Sequence, residues 1–368
     1  MGATIVIGGF FGDEGKGKII SYLAQKDDPT IVVRGGAGPN AGHTIKDGDK
    51  TFKVRMLPSG FLNKNSKVMI GPGVVVNPDV FLKEINDFGT DGRSFLDNNC
   101  GIIEKHHLEA DSKGRLKEKI GSTGSGTGPA NAERAMRTLK MAKEIDSLQK
   151  YIIDVPLEIN NALDRNENIL IEGTQGTHLS LWHGTYPFVT TKDVTASGIC
   201  ADVGIGPKRI DDVIVVFKSY LTRVGTGPMA GELSAEETSQ KGWEEFGTVT
   251  GRLRRAAEFD FELASRAIML SSANQISITK LDVRFPDCAG AQSLDELGAD
   301  AKSFIKNIES ILDRVNIPKS LSEINVPEDC AKRIAEKAML DQAYATNPKK
   351  ASLEDLEEIV LQSIKKAR

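Results

Sequence analysis

Glycines, a carboxylate pair and two lysines share residues 8–18, Gly-Gly-Phe-Phe-Gly-Asp-Glu-Gly-Lys-Gly-Lys. Glycine lets backbone N–H groups come close to an anion, and a helix starting directly afterwards adds the positive end of its dipole. Gly12 to Gly17-Lys18 has the spacing of the phosphate-binding pattern G-x-x-x-x-G-K-[ST], but Ile19 stands where a hydroxyl normally meets magnesium. Asp13 and Glu14 lie inside the loop, with Gly15 and Lys16 after them. Carboxylates in a phosphate cradle point to a bound metal or to proton transfer. The plainer alternative is a tight strand–helix turn with solvated charges.

Five further clusters carry possible chemistry. Arg34-Gly-Gly-Ala-Gly-Pro-Asn-Ala-Gly-His-Thr44 places one of the five histidines in a glycine-rich loop, where an imidazole could donate to a developing phosphate oxygen. Gly121-Ser-Thr-Gly-Ser-Gly-Thr-Gly-Pro129 alternates hydroxyls with glycines ahead of a helical pattern, which suits a second phosphate. Glu172-Gly-Thr-Gln-Gly-Thr177 could read a base edge or ribose, or be an ordinary loop. Gly247-Thr-Val-Thr-Gly-Arg-Leu-Arg-Arg255 is an anion site or a solvated basic turn. Thr279-Lys-Leu-Asp282 resembles the [NT]-K-x-D element with which GTP-binding proteins read guanine.

Most of these clusters follow short apolar runs: Thr4–Ile7, Thr30–Val33, Lys67–Ile70, Ile169–Ile171, Val213–Phe217 and Ile276–Ile278. Strands that are apolar on both faces belong in a covered, mainly parallel sheet. Helical spacing lies between them, as at Val80, Phe81, Ile85 and Phe88. A helix is expected to run from Pro129-Ala130 through Met136, Leu139 and Ala142-Lys143. From about Gly290 the pattern becomes helical, with Phe304, Ile308, Ile311, Leu312 and Val315 on one stripe. Asn347–Lys350 reads as a turn, and Ser352-Leu-Glu-Asp355 as a capping box opening a last helix striped by Leu353, Leu356, Ile359, Val360 and Ile364. The expected fold is α/β, P-loop GTPase-like: a largely parallel central sheet flanked by helices, with a helical C-terminal extension. Residues 1–290, which carry all the clusters, are expected to form the functional part and 291–368 the extension.

The 368 residues are 27% charged with net charge −4, the balance of a soluble globular protein with no electrostatic case for nucleic acid. No apolar run approaches the ~20 residues that span a membrane. Cys100, Cys200, Cys288 and Cys330 are scattered without CxxC spacing and suit a reducing compartment, so a cytoplasmic location is expected.

Taken in order, Gly12–Lys18, Asn40-Ala-Gly-His-Thr44, Leu57-Pro-Ser-Gly60, Glu172-Gly-Thr-Gln-Gly176, His183-Gly-Thr-Tyr-Pro187 and Thr222-Arg-Val-Gly225 resemble the adenylosuccinate synthetase family, in its short archaeal-type form. The resemblance runs from residue 4 to about 283. It implies a ligase of purine nucleotide biosynthesis, joining IMP and L-aspartate to adenylosuccinate with GTP and Mg²⁺, one ion per subunit. It implies that Asp13 removes the N1 proton of IMP, that Lys16 neutralises the transferring charge and that His43 acts as acid. Asp13 and the Gly42 carbonyl would hold the metal. Gly12–Lys18, Gly42, His43, Thr44, Arg254, Lys280 and Asp282 would hold the nucleotide. IMP would meet Asp13, Lys16, Asn40, Ala41, Gly42, His43, Thr123, Gln175, Thr190, Val224 and Arg252. It would also meet Arg137 of a neighbouring subunit, which implies a homodimer. Thr248, Val249, Thr250, Gly251, Arg252 and Arg254 would bind aspartate. Three features depart from the family pattern: Phe10 replaces the usual Gln, Leu253 interrupts a basic run, and no Ser/Thr-x-Gly-Pro segment covers the guanine. Two rival readings are the related phage-type enzyme acting on dGMP and a guanine-nucleotide-binding regulator without catalysis.

Overall fold

All six apolar runs enter one sheet of the computed structural model, which describes residues 2–48, 50–113, 121–246, 253–291, 293–314, 327–339 and 352–365. Its strands are β1 (Ala3–Gly8), β2 (Ile31–Arg34), β3 (Lys67–Ile70), β4 (Ser94–Asp97), β5 (Ile152–Ile153), β6 (Ile169–Glu172), β7 (Ile210–Lys218) and β8 (Gln275–Thr279). Their order is β8-β7-β1-β6-β2-β3-β4-β5, and every pairing is parallel. β4 and β5 escape a reading by apolar runs because one is four residues with polar ends and the other two residues long.

The chain winds outward from β1 through β2 to β5, returns to insert β6 beside β1, then crosses to β7 and β8. Parallel winding puts the loops after β1, β2, β6, β7 and β8 at one edge, and the reversal next to β1 opens a crevice there. Helix α1 (Lys16–Asp27) seats Ile20 and Ala24, flanked by Ile19 and Leu23, on Val6, Val32, Leu170, Ile214 and Val216. Helix α2 (Pro78–Phe88) starts with Asn77 accepting from Val80 N–H and stops at left-handed Gly89. Its Phe81 and Ile85 enter the other large core, with Val80 and Phe88 packed at the margin.

The helix expected to continue past residue 136 does not. Helix α3 (Thr127–Met136) ends where Arg137 turns left-handed (φ 66°), its N–H bonding the Arg134 and Glu133 carbonyls. Met136 is 64% exposed while Leu139 packs with Val75, Ile103 and Ala130, so the helical spacing of apolar residues there spans a turn.

By its contacts the chain divides into Met1–Phe304 and Ile305–Arg368. In the first, the Phe10 ring packs tilted against Phe217 and edge-on to Phe259, and Phe259 packs edge-on to Phe304. In the second, helices Ala331–Met339 and Leu353–Lys365 share a core of Cys330, Ala331 and Ile364. The capping box forms, with Ser352 N–H bonding Asp355 and Asp355 N–H bonding Ser352 Oγ. Ile359 leaves the expected stripe and is 55% exposed. Val315 and Asn347–Lys350 lie outside the described residues.

Candidate active site

The loop after β1 is built around Glu14. Its Oε1 accepts from the N–H groups of Phe10 (2.9 Å) and Gly12 (2.8 Å), and its Oε2 pairs with Lys16 Nζ at 2.8 Å. Both side chains are buried, so this carboxylate and this ammonium shape the loop from within. Asp13 differs: its backbone is left-handed (φ 62°) and its side chain is 29% exposed. Gly15 (φ 95°) precedes α1 with no side-chain cap, and the first turn holds no acidic residue. Lys18 N–H turns back to the Gly15 carbonyl at 3.0 Å, which leaves the N–H groups of Lys16 and Gly17 at the start of the helix for an anion. Lys18 is exposed beside them.

β8 flanks this loop. Thr279 Oγ1 donates to the Glu14 carbonyl at 2.6 Å, and a Cβ on Gly15 would come within 3.2 Å of Thr279. The Lys280 carbonyl accepts from Ser219 Oγ at 2.7 Å, and the side chains of Lys280 and Asp282 are exposed.

His43 approaches α1 from the other side. Gly17 makes room for it: a Cβ there would lie 2.7 Å from His43 Cβ and 2.9 Å from Ser59 Oγ. His43 Nδ1 is paired with Glu172, the last residue of β6, which also accepts from Ser59 N–H and, at 3.0 Å, from Ser59 Oγ. Burial alone would raise the Glu172 pKa, but His43, Arg34 and the Ser59 N–H outweigh it and hold the carboxyl below its ordinary range. With Nδ1 donating to Glu172, Nε2 is the nitrogen left for a substrate. Arg34, fully buried at the end of β2, bonds the carbonyls of Leu57, Gly38 and Ala41 and so shapes the loop that carries Asn40, Ala41 and Gly42.

Asn40 Nδ2 donates to Thr190 Oγ1 at 3.4 Å, bringing two of the IMP candidates together. Gln175 has a left-handed backbone (φ 54°). Asn40 Oδ1 and Gln175 Nε2 are buried without a hydrogen-bond partner; such atoms call for a polar ligand. Arg254 Nε lies 3.1 Å from Asp13 Oδ2, and its Nη1 is paired with Glu245. Asp13, Gly12–Lys18, His43, Gln175, Arg254 and Thr279 thus gather at one sheet edge.

The other candidates are less tightly tied. Thr123 is exposed with its hydroxyl 2.9 Å from Ser125 Oγ, and Thr44 is exposed. Helix α3 reaches the site through Asn131 Nδ2, which donates to Thr191 Oγ1 at 3.1 Å. Val224 is half-buried just after strand Leu221–Arg223, and Arg137 is exposed. Thr248, Val249, Thr250, Gly251 and Arg252 lie outside the described residues. Phe10, which stands where the family usually has Gln, has its backbone N–H on Glu14, while its side chain is 1% exposed and belongs to the core beneath the site.

Residue-type reading placed Glu172 and Arg34 at the head of two clusters without giving either a role, and missed Lys218. A common signal marks them: each is a charged residue that closes an apolar run at the end of its strand, β6, β2 and β7 (in β7 the run Val213–Phe217), and each is no more than 2% exposed.

Among the described residues, one group of three could face a metal: His106, His107 and Glu133. His107 Nδ1 accepts the Glu104 N–H at 2.9 Å. The neutral ring then carries its proton on Nε2, which faces Glu133 at 3.0 Å and offers no lone pair to a cation.

The family model described as adenylosuccinate synthetase matches residues 5–145 and 138–286. A second model, the C-terminal part of the Fe-containing alcohol dehydrogenase family, matches residues 263–364, less than half of the chain. An adenylosuccinate synthetase of Methanocaldococcus jannaschii is 54% identical over 312 residues, covering 84% of this chain and 90% of the relative. The Archaeoglobus fulgidus one is 50% identical over 322 residues, covering 87% and 95%. Among solved structures, the fully ligated adenylosuccinate synthetase of Plasmodium falciparum superposes with TM-score 0.79 at 28% identity, covering 85% of this chain and 95% of that one. A succinoaminodeoxyadenylate synthetase of cyanophage S-2L, bound to dGMP and dATP, gives TM-score 0.71 at 26% identity, covering 84% and 90%.

Proposed function

The chain belongs to the adenylosuccinate synthetase family, and from that membership we propose how its residues divide the GTP-dependent ligation of IMP with L-aspartate. The reaction forms a C–N bond at purine C6, whose oxo group is a poor leaving group. Phosphorylation makes it a good one. Asp13 takes the N1 proton of IMP, the 6-oxygen attacks the γ-phosphorus of GTP, and GDP departs. The amine of aspartate then attacks C6, phosphate leaves, and adenylosuccinate remains.

The observation that carries this assignment is the pairing of Asp13 and His43 on either side of the uncapped start of α1. Asp13 is the acidic residue of the loop that Glu14's internal bonds leave available. His43, oriented by Glu172, presents Nε2 to the transferring phosphoryl group. Lys16 is buried against Glu14, so in this reading it adds positive charge beneath the phosphates. Asn40, Gln175 and Thr190 take the purine nucleotide, and the unpartnered Asn40 Oδ1 and Gln175 Nε2 support that role. Lys280 and Asp282 read guanine next to the loop that Thr279 braces.

A magnesium ion fits the donors here, since a partly exposed carboxylate at Asp13 and a backbone carbonyl at Gly42 are the hard oxygen ligands it takes. Bound there it would screen phosphate charge, which accounts for a loop with Ile19 in place of a hydroxyl. Aspartate binding falls to Thr248–Arg252 and Arg254. The homodimer, with Arg137 crossing to the neighbouring IMP site, is supported by the exposure of Arg137 and of Met136 beside it. A cytoplasmic location is supported by four unpaired cysteines. We keep 1–290 as the catalytic part and 291–368 as the extension, in line with a family match that ends at 286.

The test offers IMP or dGMP in turn with GTP, Mg²⁺ and L-aspartate. Adenylosuccinate formed faster from IMP is the expected result. Product from dGMP alone would move the chain to the phage-type activity. GTP binding without product would make it a regulator.

A further inference from the structure

Arg254 is held between two carboxylates, and only one of them, Asp13, belongs to the proposed chemistry. The other is Glu245. Its Oε2 receives Arg254 Nη1 and, at 2.8 Å, Lys218 Nζ, while its Oε1 accepts the Tyr220 hydroxyl at 2.7 Å. Lys218 is the buried end of β7 and also donates to Thr222 Oγ1 at 2.6 Å. Tyr220 is itself fixed, stacked on buried Trp243 with ring centroids 4.4 Å apart and planes 5° off parallel. Burial alone would raise the Glu245 carboxyl, but Lys218, Tyr220 and Arg254 hold it ionised below its ordinary range.

The backbone repeats the side-chain link. Arg254 N–H donates to the Glu245 carbonyl at 2.8 Å, and Phe246 forms an antiparallel bridge with Leu253. Arg254 therefore cannot change its distance from the sheet edge without disturbing Glu245.

We propose that Glu245 is a positioning residue that anchors Arg254 to the end of β7 and so sets where the guanidinium stands relative to Asp13 and the anionic substrates. A guanidinium has five N–H donors, and Nη2 is taken by neither carboxylate. Arg254 Nε lies 3.1 Å from Asp13 but makes no hydrogen bond, so the bonds that fix Arg254 are those of its Nη1 and its backbone N–H to Glu245. Holding the planar fork there aims the rest of it, which is what bidentate recognition of a substrate carboxylate needs. Without the Glu245 charge, Lys218 and Arg254 become neighbouring buried cations, and the attraction of Asp13 for Arg254 is unopposed.

This rests on the assignment of Arg254 to aspartate and nucleotide, so wild-type turnover with IMP, L-aspartate and Mg-GTP is measured first. Absence of product there overturns that assignment. With wild-type turnover in hand, Glu245→Gln is expected to raise the KM for aspartate about tenfold or more, the loss of a charge-assisted hydrogen bond. The KM for IMP should stay within about twofold. Tyr220→Phe should move the aspartate KM in the same direction by less, and Glu245→Asp should recover part of the loss. The Tyr220→Phe arm keeps the test decisive if Glu245→Gln does not fold. A wild-type aspartate KM in both variants overturns the proposal. So does a rise shared equally by all three substrates and tracking a lower melting temperature.

Discussion

Glu172, at the buried end of a central strand, is ion-paired with Nδ1 of His43 on the opposite wall of the crevice. The pairing decides which imidazole nitrogen faces the substrate. A carboxylate accepts only from Nδ1–H, so Nε2 keeps the lone pair in the neutral ring, and the imidazolium that forms on protonation is stabilised.

Glu172→Gln is accordingly expected to lower kcat about a hundredfold or more, the scale of general acid–base assistance. The KM for GTP should change little, because the α1 terminus and its loop are not touched. Steady-state kinetics check this. Arg34 loses its carboxylate neighbour in the same variant, so a thermal melt must accompany the assay to separate orientation from stability.

Gly17 is the second control on His43. The Cβ of an alanine there would stand 2.7 Å from His43 Cβ, too close for real atoms. Gly17→Ala should push the imidazole out of place and reduce kcat about a hundredfold, as misplacement by about 1 Å does. Gly17 lies within α1, where alanine is the better helix former by about 1 kcal/mol. The overlap is with an atom next to the backbone, so its cost of about 1–3 kcal/mol outweighs that gain, and a modestly lower melting temperature alongside a much larger kinetic loss is the expected signature.

Much of this was legible in the sequence, for physical reasons. The six apolar runs announced a covered parallel sheet because strands buried on both faces cannot alternate. Parallel winding then carried their loops to one edge, so the clusters at 8–18, 34–44, 172–177 and 279–282 had to meet. The spacing at Met136, Leu139 and Ala142 misled because apolar periodicity does not register a left-handed residue such as Arg137. The roles within Asp13-Glu14 were illegible for a different reason. Two adjacent carboxylates look alike until one is seen to accept two backbone N–H groups and the other to face Arg254.

Phe10 yields a stability prediction. Its ring sits 4.8 Å from Phe217 and 5.0 Å from Phe259, and it is 1% exposed. Phe10→Gln, which restores the residue usual in the family, would lose those contacts and bury an amide among aromatic rings. The expected cost is about 3 kcal/mol or more, read as a lower urea midpoint.

Acid should weaken the protein through its buried carboxylates. Glu172 and Glu245 are both held below their ordinary value of 4.5 in the folded chain. A depressed carboxyl contributes stability above the unfolded-state pKa and loses it as pH falls through the folded value. Melting temperature should therefore be nearly flat from neutral pH to about 5 and fall below about 4.5. Glu172→Gln should flatten part of that fall, because its amide does not titrate.

The acidic pair supplies the sharpest contrast. Asp13 is partly exposed and touches the proposed chemistry, whereas Glu14 is 1% exposed and spends both oxygens on the Phe10 and Gly12 amides and on Lys16. Asp13→Asn keeps the shape but removes the proposed base and the charge proposed to face the metal. It should cost kcat about 10²- to 10⁴-fold with the melting temperature close to wild type. Glu14→Gln leaves Lys16 as a buried ammonium without its partner, a loss of about 3–5 kcal/mol, so its defect should appear first in the melt. The loop itself should loosen, raising the KM for GTP. Turnover at saturating GTP, measured below the lowered melting temperature, should survive better in Glu14→Gln than in Asp13→Asn. The reverse order would mean that the base is Glu14 and that Asp13 merely shapes the turn.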